Sequence, residues 1–460
     1  MRVLVVSTYE LGHQPLCAAT ATASLLAAGH EVRCVDVAVD TLTSVDVDWA
    51  ERVALSVPMH TAMRLALRVV ERIRSRRPGL AVCFFGLYAG MGRELTLTAP
   101  ADAVIAGEFE AGLVAWANGS DPGAVVQLQR SKGPVPIREL LPELDRYTHL
   151  VMAGEERLVG SVAASRGCAH HCRHCPVPVV YDGRVRRVEE DAVLADVDQL
   201  VASGARHISF ADPDFLNAPQ HSRRVLAAVH RRHPDLTFDA TIKVEHILRY
   251  PEVLPELAQA GCAFVVSAFE SVSDPILDCL DKGHTASDAS KAVIALRAQG
   301  IEVRPSWLPF TPWTTVDDLV DLVNFVIAHD LIANVDSVQY SVRLLVPEGS
   351  LLLGESTMTA HLGAYDPARL GWTWAHPDPS MDRLQAQIAS LVEERAGQSQ
   401  IHTFEEIDAL IRLSAETLST RPAQGAVSVG PTGERAHLTE AWFCCSEPTE
   451  TQLAGLEPIV

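Results

Sequence analysis

The chain has 460 residues, and 48% of them are hydrophobic, enough for two or three domains with full cores. It carries 58 acidic against 38 basic residues, a formal charge of −20, which argues against nonspecific binding to nucleic acid or to an anionic membrane. Its ten cysteines, at 17, 34, 83, 168, 172, 175, 262, 279, 444 and 445, do not form a disulfide framework, which belongs to short secreted chains. The opening Met1-Arg-Val-Leu-Val-Val-Ser does not read as a signal peptide, and no apolar run is long enough to span a membrane; a reducing cytoplasm is expected.

The first 120 residues alternate strand and helix signals. Val3–Ser7, Glu31–Val37, Val53–Val57, Ala81–Phe85 and Val104–Ile105 are apolar runs of strand length. Leu16–Ala28, closed by Gly29, and Thr61–Ser75 read as helices, and a further helix starts at Glu110. This alternation gives a Rossmann-like, doubly wound parallel sheet. Ligands of such sheets bind at the carboxyl ends of the strands, here Thr8–Pro15, Ser56–His60, Gly86–Gly90 and Gly107–Glu110. His13 and His60 fall in these loops, where a capping role is commoner than a ligand role. Cys34, Cys83 and Cys262 sit in apolar runs and read as small core residues.

Residues 121–150, with Ser120-Asp-Pro-Gly and Gly133-Pro-Val-Pro, read as a linker. From Leu158 the alternation resumes. Strands are expected at Leu158–Ala163, His207–Phe210, Leu236–Ala240, Phe264–Ala268, Ile301–Trp307 and Ser337–Val342. Helices are expected at Glu189–Ser203, His221–Arg232, Pro251–Ala260, Ala286–Gln299 and Val316–His329. Six βα units over residues 151–350 make a partial (β/α)6 TIM-type barrel, whose chemistry belongs at the carboxyl ends of its strands. Arg184-Val-Arg186-Arg187 is the nearest approach to a basic patch and reads as a solvated turn or a counter-charge for an anion.

The first barrel strand runs straight into Ser165-Arg-Gly-Cys-Ala-His-His-Cys-Arg-His-Cys-Pro176. Cys168, Cys172 and Cys175 form a C-x3-C-x2-C cluster. Three thiolates so close can hold three corners of a [4Fe–4S] cluster, or a zinc ion completed by His170, His171 or His174. A zinc knuckle gives no reason for the loop to follow a barrel strand, so the strand-end position favours the cluster.

This spacing at this place resembles the radical SAM superfamily, in which the open iron is chelated by S-adenosylmethionine (SAM). The resemblance implies roles for other strand ends. Phe210-Ala-Asp212-Pro-Asp214-Phe-Leu-Asn217 is similar to the acidic turn of cobalamin-type members, where Asp212 or Asp214 would accept the SAM ammonium; an Asx turn capping the next helix is the bland alternative. Lys243 follows the third strand. Ala268-Phe-Glu270-Ser271 with Asp274 and Lys282-Gly283 resembles the family's E-S…K-G segment, with Glu270 placed for the ribose hydroxyls. Arg304 and Trp307 lie on the fifth strand, before Pro309-Phe-Thr311, where the family shows glycine in place of Thr311. Arg343 and Pro347-Glu-Gly-Ser350 again resemble the family. Glu10-Leu-Gly-His-Gln-Pro-Leu, Gly29-His30-Glu-Val, Ala54-Leu-Ser-Val-Pro-Met and Gly107-Glu108 resemble the cobalamin-binding domain placed before many radical SAM barrels, although the D-x-H-x-x-G motif that carries an axial histidine is absent.

Residues 351–460 read as a C-terminal helical extension with amphipathic helices over 380–418 and a flexible tail. The tail holds Trp442-Phe-Cys444-Cys445-Ser-Glu-Pro448. Two adjacent thiolates suit one soft atom. The segment resembles a radical SAM subgroup with a Cys-Cys-Ala-Glu-Pro end, associated with arsinothricin-type pathways. That resemblance implies transfer of the 3-amino-3-carboxypropyl part of SAM to trivalent arsenic held by Cys444 and Cys445. The alternatives are a cobalamin-dependent methyltransferase of natural-product biosynthesis and, more remotely, a zinc-binding protein without turnover. The partners implied are a small-molecule substrate and an electron donor such as flavodoxin or ferredoxin.

Overall fold

The computed structural model describes residues 1–92, 101–130, 132–419, 421 and 435–440. β1 (Arg2–Ser7), β2 (Glu31–Asp36), β3 (Arg52–Ser56), β4 (Ala81–Phe85) and β5 (Ala103–Gly107) form a parallel sheet of order 2-1-3-4-5, and β6 (Val126–Gln127) joins it beside β5. Val5 aligns with Cys34 on one side and Ala54 on the other. Both faces are covered, so the strands read as unbroken apolar runs. Helices Leu16–Ala27 and Glu110–Ala117 cover one face through Ala18, Ala21, Leu25, Leu113 and Trp116. Helices Ser44–Trp49 and His60–Arg76 cover the other. The second of these buries Ala66, Val69, Val70 and Ile73 at helical spacing, and each large apolar side chain so buried stabilises by roughly 1.5–3 kcal/mol.

Residues 121–150, expected as a linker, are packed. β6 adds an edge strand because Gly107, at φ +80°, lets it approach: a Cβ there would lie 2.3 Å from the Gln127 carbonyl oxygen. Further on, the buried Arg138 guanidinium donates to both oxygens of Asp196 at 2.9 and 2.8 Å and to the Ser161 carbonyl at 2.6 Å. Asp196 lies on the helix Glu190–Ala202 and Ser161 on a barrel strand, so one cation ties the connecting segment to the barrel wall.

The barrel sheet begins with an antiparallel pair, β7 (His149–Met152) and β8 (Glu155–Val162). A small ribbon of β9 (Ser165–Gly167) and β10 (Val185–Arg187) brackets the cysteine loop. β11 (His207–Phe210), β12 (Thr237–Thr241), β13 (Cys262–Glu270) and β14 (Glu302–Trp307) then follow β8 in parallel register. Helices Glu190–Ala202, Pro219–Arg232, Ala286–Arg297 and Val316–Ala328 pack outside them. The expected helix over Pro251–Ala260 is a 3₁₀ turn, Pro251–Val253, followed by a short helix, Leu254–Gln259.

The sixth expected strand, Ser337–Val342, is instead a 3₁₀ helix over Ser337–Ser341. The reason lies in its neighbours. Gln339 Oε1 accepts the Trp307 N–H at 2.9 Å, so a side chain satisfies the edge of β14. Tyr340 packs on Phe404, and Gln385 donates to the Ser341 carbonyl at 2.9 Å. The helices Pro379–Glu394 and Gln400–Leu418 thereby claim the segment. The C-terminal extension also contains a hairpin, β15 (Leu362–Asp366) and β16 (Gly371–Trp374).

The far side of the sheet is completed from the tail. β17 (His437–Leu438) pairs antiparallel with β7. Just before it, Arg435 donates to Glu302 of β14 at 2.8 Å, and the Ala436 carbonyl accepts from Arg304 at 3.3 Å. Residues 435–440 therefore span the open side of the barrel, from its last strand to its first, and Glu440 then meets Tyr9 Oη at 2.9 Å.

Arg138 and Asp196 are both almost fully buried, with side chains 4% and 3% exposed. Removing one partner of such a pair leaves an uncompensated charge in the interior. Arg138→Ala is expected to lose roughly 3–5 kcal/mol of stability, read from denaturant unfolding. A loss below roughly 1 kcal/mol, the size of a surface pair, would show that the segment is not anchored as described.

Candidate active site

The cysteine loop lies at the carboxyl end of β8, on the short antiparallel ribbon of β9 and β10. Its backbone is held on two sides: Arg173 N–H donates to the Leu280 carbonyl at 2.9 Å, and the Arg173 carbonyl accepts from Ser350 Oγ at 3.3 Å. Cys168 and Cys172 are buried and Cys175 is half-buried; none is in a disulfide. Burial pushes the Cys168 thiol above its ordinary range. Cationic groups stand nearby. Lys243 Nζ is 3.7 Å from Cys172 Sγ, and the charge of the buried Lys282 acts on Cys172 and Cys175. Asn217 Oδ1 accepts from the Ala169 N–H at 3.1 Å and lies 3.7 Å from Cys168 Sγ.

Each acidic residue expected here is present at a strand end and already engaged. Asp212, after β11, accepts from the Ala164 N–H at 2.9 Å and from Ser165 Oγ at 2.6 Å. Burial nevertheless pushes its carboxyl up to about 7. Asp214 is fully buried; its Oδ1 accepts the Leu216 N–H at 3.1 Å, which is the Asx turn weighed above. Its Oδ2 faces His246 and His170.

Glu270 closes β13 in a left-handed conformation, φ +62°, next to a register shift between Ala268 and Glu270. A glutamate held there stores strain of the kind found at ligand sites. Its Oε1 is 3.1 Å from both Lys282 Nζ and His174 Nε2. Burial acts to raise the Glu270 carboxyl, but the Lys282 ammonium and His174 overcome it and hold it well below the usual range. Arg304 lies lower in the barrel, paired with Asp336 at 2.7 Å and stacked over Phe264.

The cysteine loop also touches the first domain. Cys168, Val177, Val180 and Tyr181 share an apolar cluster with Val57, Tyr88, Met91 and Ala106. Tyr181 Oη donates to Glu108 at 3.0 Å, and Arg166 pairs with Glu110 at 2.6 Å. The loops expected to bind a ligand of the first sheet thus abut the cysteine loop. His60 is committed elsewhere: its Nε2 is 2.8 Å from the Arg369 carbonyl of the β15–β16 hairpin, and burial holds it down at about 4. His13 lies in the electrostatic reach of Asp239 and His207 of the barrel.

The residues fit the groups the motifs imply. Buried polar atoms without a partner lie in or beside the cysteine loop: His174 Nδ1, Asn217 Nδ2 and, on the first-domain side, Glu110 Oε2. Among the described residues the three thiols do not gather within 4.8 Å of one another, as donors to a single ion would. Sulfurs around one tetrahedral zinc stand roughly 3.8 Å apart. A cavity of about 1490 Å³ lies between the C-terminal helices, β16 and β17, and is lined by Arg343, Arg369, Trp372 and Trp374 but by no described cysteine. Cys444 and Cys445 lie outside the described residues. Sequence reading did not single out His246, Arg166 or Tyr181; each is an ordinary helix or ribbon residue until the fold sets it beside the loop.

Lys282→Met leaves the Glu270 carboxylate buried without its ammonium, an expected loss of roughly 3–5 kcal/mol at neutral pH. Glu270 is depressed in the native protein, so its contribution exists above the ordinary carboxylate range and disappears as pH falls through the folded value. In the variant, burial instead raises it, and protonation relieves the cost. The gap between wild type and variant should shrink from pH 7.5 to pH 5 in unfolding experiments on cluster-free protein. A gap that widens over that range would contradict the triad.

The family models agree with this division. The Radical SAM superfamily model matches residues 162–326 and the B12 binding domain model residues 2–117. Among curated proteins, bacteriochlorophyllide d C-8(2)-methyltransferase of Chlorobaculum tepidum is 25% identical over 281 residues, 57% of this chain and 59% of that one. The chain thus spans little more than half the length of that relative. Among solved structures, the cobalamin-dependent S-adenosylmethionine radical enzyme OxsB with aqua-cobalamin bound superposes with a TM-score of 0.68 at 14% identity, covering 92% of this chain and 74% of that one. The radical S-adenosylmethionine methyltransferase TsrM of Kitasatospora setae gives 0.62 at 17% identity, covering 85% and 89%. The Radical SAM domain implies a [4Fe–4S] cluster and SAM, and the B12-binding domain with its cobalamin-bound neighbours supports cobalamin. No helix among the described residues is long and apolar enough to cross a membrane. The chain thus carries a Radical SAM domain over residues 162–326, with a three-cysteine loop at a barrel strand end, set against a B12-binding domain over residues 2–117.

Proposed function

We propose that the protein is a cobalamin-dependent radical SAM methyltransferase acting on a small molecule. The observation that carries this reading is the contact between the two ligand edges: the cysteine loop packs on Val57, Tyr88 and Ala106 at the carboxyl ends of the first sheet. When bound, the cluster supplies the electron that cleaves SAM, and cobalamin carries a methyl group. Cys168, Cys172 and Cys175 are the cluster ligands in this reading. Lys243 and Lys282 offset their negative charge. Asp212, Asp214 and Glu270, expected to position SAM, act here by fixing the site: Asp212 clamps Ala164 and Ser165, Asp214 holds the turn after β11, and Glu270 bridges Lys282 and His174. The printed names of the Chlorobaculum tepidum relative and of TsrM both say methyltransferase. Transfer of aminocarboxypropyl to arsenic finds no such support; it rests on Cys444 and Cys445 alone. An electron donor such as flavodoxin or ferredoxin completes the proposal.

Three outcomes test it. Replacing Cys168, Cys172 and Cys175 by alanine should remove iron, sulfide and SAM cleavage together; full iron and sulfide in the triple variant would refute the ligand assignment. Anaerobically reconstituted protein should retain hydroxocobalamin, and its reduced cobalt should show no hyperfine splitting from a protein histidine, because His60 is bonded to Arg369. Failure of the cluster-replete protein to retain cobalamin would sink the methyltransferase reading. SAM labelled in its methyl group should pass label to bound cobalamin. Label that instead passes from the aminocarboxypropyl group to added arsenite would return the function to the arsenic chemistry.

A further inference from the structure

Beside the cysteine loop lies a second set of metal-ligand side chains, formed by three different strand ends. His170 comes from the loop itself, between Cys168 and Cys172. Asp214 comes from the turn after β11, and His246 from the helix Val244–Arg249 after β12. One donor atom from each lies within 4.8 Å of the other two. His246 Nδ1 is 2.7 Å from Asp214 Oδ2, His170 Nε2 is 3.7 Å from the same oxygen, and the two histidine Nε2 atoms are 3.3 Å apart.

Two features separate this set from an ordinary hydrogen-bonded cluster. Asp214 is 0% exposed and His246 5% exposed, yet Asp214 Oδ2 and His246 Nδ1 have no hydrogen-bond partner. They approach closely without the alignment of a hydrogen bond. Buried polar atoms are satisfied in the great majority of cases, so two that face each other at 2.7 Å without hydrogen-bond alignment point to a shared partner. The surrounding groups are also those that a metal site uses to orient its ligands. Glu245 Oε2 is 3.5 Å from His170 Nδ1, the ring nitrogen turned away from the cluster of donors, and the Leu216 N–H holds Asp214 Oδ1 at 3.1 Å. A carboxylate behind a ligating histidine fixes its ring and its tautomer.

We propose that His170, Asp214 and His246 bind one divalent transition-metal ion, separate from the three-cysteine site. Two imidazoles and one carboxylate, with remaining positions open to water, suit Fe²⁺, Co²⁺ or Zn²⁺ rather than Mg²⁺ or Ca²⁺. The ion would tie the cysteine loop to the ends of β11 and β12 and so fix the spacing between Cys168 and Cys172. This inference does not depend on the methyl-transfer reading.

The probe is Co²⁺, added to protein whose iron–sulfur cluster has been reconstituted, followed by desalting and elemental analysis. Wild type should keep about one cobalt per chain in addition to its cluster iron. The oxidised cluster is diamagnetic, so high-spin Co²⁺ should give its own paramagnetic resonance signal. On reduction, the cluster signal should relax faster in the cobalt-loaded protein, which reports proximity. His246→Gln, which lies outside the loop and the acidic turn, should weaken cobalt binding at least tenfold while iron and sulfide per chain stay at the wild-type level. Cobalt not retained by wild type, or retained equally by His246→Gln, overturns the proposal and leaves the three residues as a polar network without an ion.

Discussion

The constraint on which the site depends is charge. Three cysteines proposed to act as thiolate ligands would bring negative charge into a loop in which Cys168 and Cys172 are buried. Burial alone opposes this, as the raised Cys168 thiol shows. The fold answers with two buried ammonium groups, Lys243 and Lys282, delivered from the ends of β12 and β13. Lys282 is in turn bound to Glu270, so the cation that faces the thiols is fixed in place by an anion. Glu270 reaches it only from a left-handed backbone at a strand irregularity. The strain at that residue and the electrostatics of the loop belong to one arrangement.

A second dependence runs between the domains. The cysteine loop is an element of the barrel, but part of its apolar surface belongs to the core of the first domain. Val177, Val180 and Tyr181 fill the space over the ends of β4 and β5. Arg166 and Tyr181 then meet Glu110 and Glu108, which cap that edge. Because the two ligand edges share this packing, movement of one domain would disturb the other's site. Arg138, anchored on Asp196, and the strand Val126–Gln127 hold the connection that makes the shared packing possible.

The tail segment shows how an incomplete barrel is closed. A parallel barrel with an open side leaves β14 and the first strands with unpaired edges. Gln339 satisfies the Trp307 N–H of the β14 edge with a side chain, and residues 435–440 pair with β7 and reach β14 through the side chains of Glu302 and Arg304. The strap ends at Tyr9 and Gly12 of the first domain, where Glu440 lies against the glycine.

The chain's amino-acid order by itself determined the alternation of strands and helices, the two sets of strand-end loops and the cysteine loop at the end of a barrel strand. These follow from local periodicity and from the short reach of a loop, which sequence records directly. It also placed Asp212, Asp214, Glu270, Lys243 and Lys282 near that edge, because each follows a strand. Which of those charges pair was decided only by tertiary structure. Lys282 and Glu270 are twelve residues apart, and nothing local distinguishes that pairing from Lys243 with Glu270. Ser337–Val342 has a strand's composition, yet Tyr340 and Gln339 are drawn to Phe404 and Trp307 by packing that no window can contain. The same holds for His246. Its meeting with His170 and Asp214 needs three strand ends to be set side by side, and only the order of strands in the sheet does that.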